Sequence, residues 1–285
     1  MTKIWLIPLI IYLAIVPFTP HLDISISNLF YDHGFIYKNH SFFEAMRIYG
    51  EKPAFITGGI ALAIFLISFF SKHMRPYRES CLFIVLTLIV GAGLITNVLL
   101  KDHWGRPRPR QIVEFGGISP FRPMYEPDFH NPAGKSFCSG HASMGFFFFA
   151  LMIAGWRRRN SPLIYLGLFL TLFMGISLSI TRIAQGAHFF SDVMTSAMVM
   201  WLSALLINWL VPERESTPDT LGKIRDGFSN AKTQRRKDAE ENKKNNLSST
   251  LLLNYLFPLC VFPSLRLCVK KTIGDFCFRD LVCLD

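Results

Sequence analysis

Six stretches of the chain are apolar enough to be compared with helices that cross a bilayer. They lie at residues 4–20, 54–70, 80–100, 142–156, 162–180 and 193–211. A spanning helix needs about 20 mostly apolar residues, within a range of roughly 17 to 25. The fourth stretch is shorter, but Ser139, Gly140 and His141 extend it where polar side chains can face protein rather than lipid. The pattern predicts an all-α, polytopic membrane protein with six transmembrane helices.

Basic residues in the short connections predict how these helices are oriented. Lys72, Arg75 and Arg78 lie between the second and third stretches, and three consecutive arginines lie between the fourth and fifth. The positive-inside rule therefore predicts that both connections and both termini are cytoplasmic. The other three connections would then face the periplasm of a bacterial inner membrane. One of them, 101–141, is itself basic, so its positive charges require a separate explanation.

The composition agrees with a membrane protein. Hydrophobic residues make up 51% of the 285 residues, and 27 residues are phenylalanine. The net charge of +10 comes from short basic clusters beside apolar runs rather than from a polar, aromatic-interleaved face. We therefore expect lipid rather than nucleic acid as the partner of this chain.

The chain changes character after Val211, where a polar, charged stretch is followed by an apolar, cysteine-containing end. We expect residues 1–211 to form the membrane domain and residues 212–285 to form a separate, poorly structured cytoplasmic tail. Reverse-complementing plausible codons for residues 231–239 gives the peptide found at residues 264–269. The tail is therefore hypothesised to be a translated inverted DNA repeat.

Three polar segments contain the residues suited to catalysis. The first, from Lys101 to Pro109, combines a lysine point charge with arginine forks that bind phosphate oxygens bidentately. By itself, the segment could equally be an interfacial cluster that touches lipid headgroups.

The second segment runs from Ser136 to Ser143, and its Ser139-Gly140-His141 stands where a helix is expected to begin. Backbone N–H groups and the helix dipole make such a position an anion site, and His141 can transfer a proton near pH 7. Alone, the segment is also compatible with an ordinary capped helix.

The third segment contains Arg182, His188 and Asp192 between two strongly apolar runs. Residues four apart share a helix face, and a carboxylate can fix the imidazole tautomer that leaves a nitrogen free to attack. A surface ion pair would have the same spacing. All three segments are expected on one side of the membrane, however, and together they suit phosphoryl transfer to histidine.

These residues carry a family resemblance. Lys101-x6-Arg108-Pro109, Ser139-Gly140-His141 and Arg182-x5-His188-x3-Asp192 resemble the three-part signature of the type 2 phosphatidic acid phosphatase (PAP2) superfamily. That family includes vanadium haloperoxidases and bacterial acid phosphatases, and the resemblance covers residues 1–211. It implies a helical bundle and a metal-independent phosphatase without a cofactor.

The resemblance also implies a role for each matching residue. His188 would attack the phosphorus, Asp192 would orient His188, and His141 would protonate the leaving alkoxide. The phosphate ligands would be Lys101, Arg108, Ser139, Gly140 and Arg182. Arg106 and Arg110 fall outside the signature, and we expect both to contact a larger anionic headgroup. This chain has Cys138 where the family usually has proline, and Thr181 where it usually has serine.

The expected activity is hydrolysis of a phosphomonoester or terminal pyrophosphate of a lipid. Lipid A, phosphatidic acid, phosphatidylglycerophosphate and undecaprenyl pyrophosphate all remain candidates at this point. Three alternatives also stay open: a lipid phosphotransferase on the same fold, a vanadate-dependent haloperoxidase, and a non-catalytic protein that binds or transports lipid.

Overall fold

The computed structural model describes residues 6–131 and 133–212, and helices joined by loops make up this part of the chain. We number the main helices in chain order: α1 (Ile7–Asn28), α2 (Ser41–Ile67), α3 (Arg75–Lys101), α4 (Gly140–Phe146), α5 (Phe149–Arg157), α6 (Ser161–Ala184) and α7 (Phe190–Leu210). Within these described ranges, β structure is limited to isolated bridges. The predicted all-α fold is therefore confirmed.

Five of these helices, α1, α2, α3, α6 and α7, are long and apolar enough to cross a membrane. The predicted span at 142–156 is instead divided between α4 and α5 by Phe147 and Phe148, which are buried in the core. This broken segment packs tightly: a Cβ atom added to Gly145 would lie 2.7 Å from Gly175 Cα in α6. The count of six spans is thus approximate, with five long helices and one composite segment.

Two helices extend well beyond the apolar runs that predicted them. Helix α2 begins at Ser41 rather than at residue 54, because the His40 imidazole accepts a hydrogen bond from Phe42 N at 3.3 Å and caps the helix. Helix α1 continues to Asn28, and its polar residue Asp23 is fully buried. In both cases charged or polar residues lie within the helix, so the apolar pattern underestimates its length.

The helices bury their small and polar residues against one another and expose many large apolar side chains. Exposed examples are Ile10, Phe169 and Trp209, with exposed fractions of 63%, 60% and 76%. Such an outer surface suits lipid, which solvates apolar side chains as well as a protein core does. The core lies where α4 and α5 pack against α6, and where α4 packs against α3 and α7. This packing brings the ends of α3 and α6 close to the beginnings of α4 and α7.

The predicted tail at 212–285 lies outside the described residues, apart from Pro212. Its origin as an inverted repeat stays a prediction.

Candidate active site

His188 occupies the short connection between α6 and α7 and is only 1% exposed. Its Nδ1 atom lies 2.6 Å from the carbonyl oxygen of Ser136. Because a carbonyl oxygen can only accept a hydrogen bond, Nδ1 carries the hydrogen of the neutral ring and the lone pair is on Nε2. Burial lowers the pKa of His188 to about 4, so the ring is neutral at ordinary pH. The site therefore presents a neutral imidazole whose Nε2 atom can act as a nucleophile.

Asp192 acts on His188 through Ser136 rather than directly. The distance from Asp192 Oδ2 to His188 Nδ1 is 3.8 Å, which is too long for a hydrogen bond. The same carboxylate oxygen accepts hydrogen bonds from Ser136 Oγ at 2.6 Å and from Phe189 N at 2.8 Å. The direct hydrogen bond expected from the spacing is therefore absent, because the Ser136 carbonyl takes its place.

Arg106 is the hub of a buried ionic network. Its Nη2 atom donates to Asp23 Oδ2 at 2.8 Å, and its Nη1 atom donates to Asp192 Oδ1 at 2.5 Å and to Ser191 Oγ at 2.8 Å. Its Nε atom donates to the carbonyl oxygen of Arg122 at 2.8 Å. The Arg106 side chain has no exposed surface. The expectation that Arg106 contacts a substrate headgroup is therefore wrong: both of its charge partners are internal.

The other predicted arginines meet in one cavity of about 240 Å³, lined by Lys38, Asn39, Glu44, Arg47, Arg108, Arg110, Arg182 and Gln185. Arg182 is 7% exposed, and its Nη1 atom donates to Gln185 Oε1 at 2.8 Å. Burial, followed by repulsion from Arg110, lowers the pKa of Arg108. A set of repelling cations around a small cavity is stabilised by a bound anion. Neither predicted catalytic histidine is in the wall of this cavity, but His188 lies beside it, since its backbone N–H donates to the carbonyl oxygen of Arg182 at 3.3 Å.

The beginning of α4 lies against the end of α3. The Ser139 Oγ atom caps α4 by accepting a hydrogen bond from Ala142 N at 3.3 Å. A Cβ atom added to Gly140 would lie 2.7 Å from Asn97 Oδ1, so glycine permits this close approach. Lys101 Nζ is 3.5 Å from the same Asn97 oxygen. Lys101 and the first turn of α4 are thus neighbours, although Ser139 and Gly140 are fully buried.

His141 is held on both ring nitrogens. Its Nε2 atom donates to the carbonyl oxygen of Arg47 at 3.1 Å, and its Nδ1 atom lies 3.1 Å from Glu51 Oε1. Because Nε2 carries a hydrogen in this arrangement, the short Nδ1 contact requires a second proton shared with Glu51. Such a proton can come from the Glu51 carboxyl group or from the ring itself. His141 would have to leave the Arg47 carbonyl to deliver a proton from Nε2.

The two departures from the family pattern leave these contacts intact. Cys138 is fully buried, and burial raises the pKa of its thiol to about 12, so the thiol stays protonated. Thr181 is also buried, and its hydroxyl donates to the carbonyl oxygen of Ser177 at 2.8 Å.

Three residues of the site were not singled out from the sequence. Ser136 begins the second segment, three residues before Ser139, but no role was expected for it. Glu51 lies in a polar stretch just before an apolar run, and Gln185 lies inside the third segment between Arg182 and His188. For these two, only the fold reveals the partner.

The sequence of this chain is similar to those of several known proteins. The model of the PAP2 superfamily matches residues 80–216. The lipid A 4'-phosphatase of Francisella tularensis subsp. novicida (strain U112) is 32% identical over 194 residues, covering 66% of this chain and 85% of that protein. The lipid A 4'-phosphatase of Rhizobium leguminosarum is 30% identical over 219 residues, covering 68% of this chain and 88% of that protein.

A lipid A 1-phosphatase of Rhizobium etli is 34% identical over a shorter stretch of 121 residues, covering 42% of this chain and 46% of that protein. No solved structure matches the chain. The two longer alignments span most of each relative, and the family match contains all three signature segments. The chain therefore belongs to the PAP2 superfamily, as a bacterial membrane lipid phosphatase of that family.

Proposed function

We propose that this chain removes a phosphate group from lipid A, or from a closely related phosphorylated lipid, at the periplasmic face of the inner membrane. The observation that carries the proposal is the neutral, buried His188, whose Nε2 lone pair is free and whose backbone N–H donates to the carbonyl oxygen of Arg182 in the cavity wall. The names of the similar proteins support lipid A as the substrate.

In the proposed first step, a phosphate held by Arg108 and Arg182 is attacked by His188 Nε2. A phosphorus–nitrogen bond forms as the bond from phosphorus to the sugar oxygen breaks. The ring of His141 leaves the Arg47 carbonyl, the leaving oxygen takes the Nε2 proton, and Nδ1 keeps the proton it shares with Glu51. In the second step, water attacks the phosphorus, His141 accepts the water proton, and inorganic phosphate and free His188 are released.

Protein cations replace a metal ion in this proposal. A phosphate monoester carries a charge of about −1.5 to −2 near neutral pH. Arg108, Arg182 and the neighbouring Lys101 can neutralise that charge and fix the three oxygens. The exposed Lys38 and Arg110 lie on the same cavity and are available to a larger headgroup.

The test is phosphate release by detergent-purified protein from lipid A, phosphatidic acid, phosphatidylglycerophosphate and undecaprenyl pyrophosphate, with a chelator present throughout. We expect release from lipid A at a rate that the chelator does not change. Preference for another lipid would reject the substrate proposal, and activity that returns only with an added divalent ion would reject metal independence. Labelling of a Lys38→Cys variant by a membrane-impermeant reagent in intact cells tests the periplasmic orientation.

A further inference from the structure

Gln185 is a buried residue in the wall of the cationic cavity. It directly follows α6, is 3% exposed, and lines the cavity together with Arg108 and Arg182. Its Oε1 atom accepts a hydrogen bond from Arg182 Nη1 at 2.8 Å. Since a guanidinium group can only donate, this contact identifies the oxygen end of the amide. The amide nitrogen is therefore the end that remains available.

Two buried donors beside each other have no hydrogen-bond partner. Gln185 Nε2 and Arg182 Nε are both fully buried, and neither makes a hydrogen bond within the described part of the chain. Buried polar groups in native proteins are nearly always paired, and an orphaned donor is costly. Both donors belong to side chains in the wall of a cavity that also contains Arg108. An acceptor that reached these donors from the cavity would satisfy both of them.

The charge of the cavity identifies the kind of acceptor. Five cationic side chains line it, with Glu44 as the single carboxylate among the lining residues described. A neutral amide adds an N–H donor without adding another repelling charge among the arginines. Phosphate oxygens are strong acceptors, and charge is spread over three of them while a phosphoryl group is transferred.

We propose that Gln185 is a further catalytic residue, whose Nε2 atom donates a hydrogen bond to a non-bridging oxygen of the transferring phosphate while its Oε1 atom holds Arg182. This inference rests on the proposed phosphatase function. It assigns the amide a direct contact with substrate in addition to its support of Arg182.

Two substitutions separate the direct contact from simple support. Gln185→Met keeps the size of the side chain and removes the donor, and we expect kcat/KM to fall roughly 10- to 100-fold. Gln185→Glu keeps an acceptor for Arg182 but replaces the free N–H donor by an oxygen that repels phosphate. We expect Gln185→Glu to lose at least as much activity as Gln185→Met. Asn39→Asp is the matched control, because it adds the same charge to an exposed amide on the same cavity.

The outcomes decide between the roles. If Gln185→Glu retains wild-type activity, Gln185 only supports Arg182 and the proposal is overturned. If Asn39→Asp loses as much activity as Gln185→Glu, the loss reflects charge rather than a lost contact, and the proposal again fails. Protection by inorganic phosphate against thermal unfolding gives a second readout: the phosphate concentration needed should rise about 10-fold in Gln185→Met. If the wild type releases no phosphate from any lipid, the proposed function fails, while this binding measurement still tests Gln185.

Discussion

Replacing Arg106 by glutamine should strongly destabilise the membrane domain. The side chain is fully buried and is the cation between two fully buried carboxylates, Asp23 in α1 and Asp192 in α7. Removing one partner from a buried ion pair typically costs about 3–5 kcal/mol, because a buried charge is left uncompensated. For a domain of this size, 1 kcal/mol corresponds to roughly 2–4 °C in Tm. We therefore expect Arg106→Gln to lower Tm by roughly 6–20 °C.

Thermal unfolding in detergent micelles, followed by size-exclusion chromatography of the heated samples, measures this change. Arg110→Gln is the matched control, since it removes the same charge from an exposed position and should leave Tm within about 1 °C of the wild type. The double variant Asp23→Asn/Arg106→Gln should recover part of the loss, because one of the two unpaired carboxylates is gone. Wild-type Tm in Arg106→Gln, or no recovery in the double variant, would refute the reasoning.

Three further predictions concern His188, Glu51 and the residues after Val211. Burial lowers the pKa of His188 to about 4, so the nucleophile stays neutral until the pH falls through about 4. The pH profile of kcat/KM should therefore show its acid limb near pH 4. An acid limb near pH 6.5, typical of an exposed histidine, would contradict this prediction. Glu51→Gln removes the carboxylate that shares a proton with His141, so kcat should fall about 100-fold for lipid substrates. An aryl phosphate, whose good leaving group needs no proton, should be cleaved at nearly the wild-type rate. An equal loss for both substrates would argue against a role of Glu51 in proton delivery. A chain that ends at Val211 should release phosphate as fast as the full chain, and lost activity in a normally inserted truncation would reject the domain assignment.

The helices were predictable wherever successive side chains face lipid or the core, because those side chains are apolar and form an uninterrupted apolar run. The apolar run at 162–180 identifies α6, which the structure extends only to Ser161–Ala184. The beginning of α2 was not predictable in this way, because charged residues interrupt the apolar ones at 41–53 and the helix begins at a local cap. The break between α4 and α5 was also hidden, since the four residues around it, 146–149, are all phenylalanine.

The candidate site was predictable as a set of residues but not as a set of contacts. Spacing alone suggested that Asp192 touches His188, whereas the carbonyl of Ser136, 52 residues away from His188, occupies that position. Arg106 resembled a ligand because it lies in a basic loop beside Arg108. Its real partner Asp23 lies 83 residues away, and no local pattern reports such a pairing.

The central claim is that His188 Nε2 forms a bond to phosphorus during turnover. The most direct measurement is rapid acid-free quenching of the protein during turnover of lipid A labelled with radioactive phosphate, comparing the wild type with His188→Ala. The account predicts a labelled wild-type protein whose phosphate is stable to alkali and lost in acid, together with neither label nor phosphate release in His188→Ala. Undiminished phosphate release by His188→Ala would contradict the account.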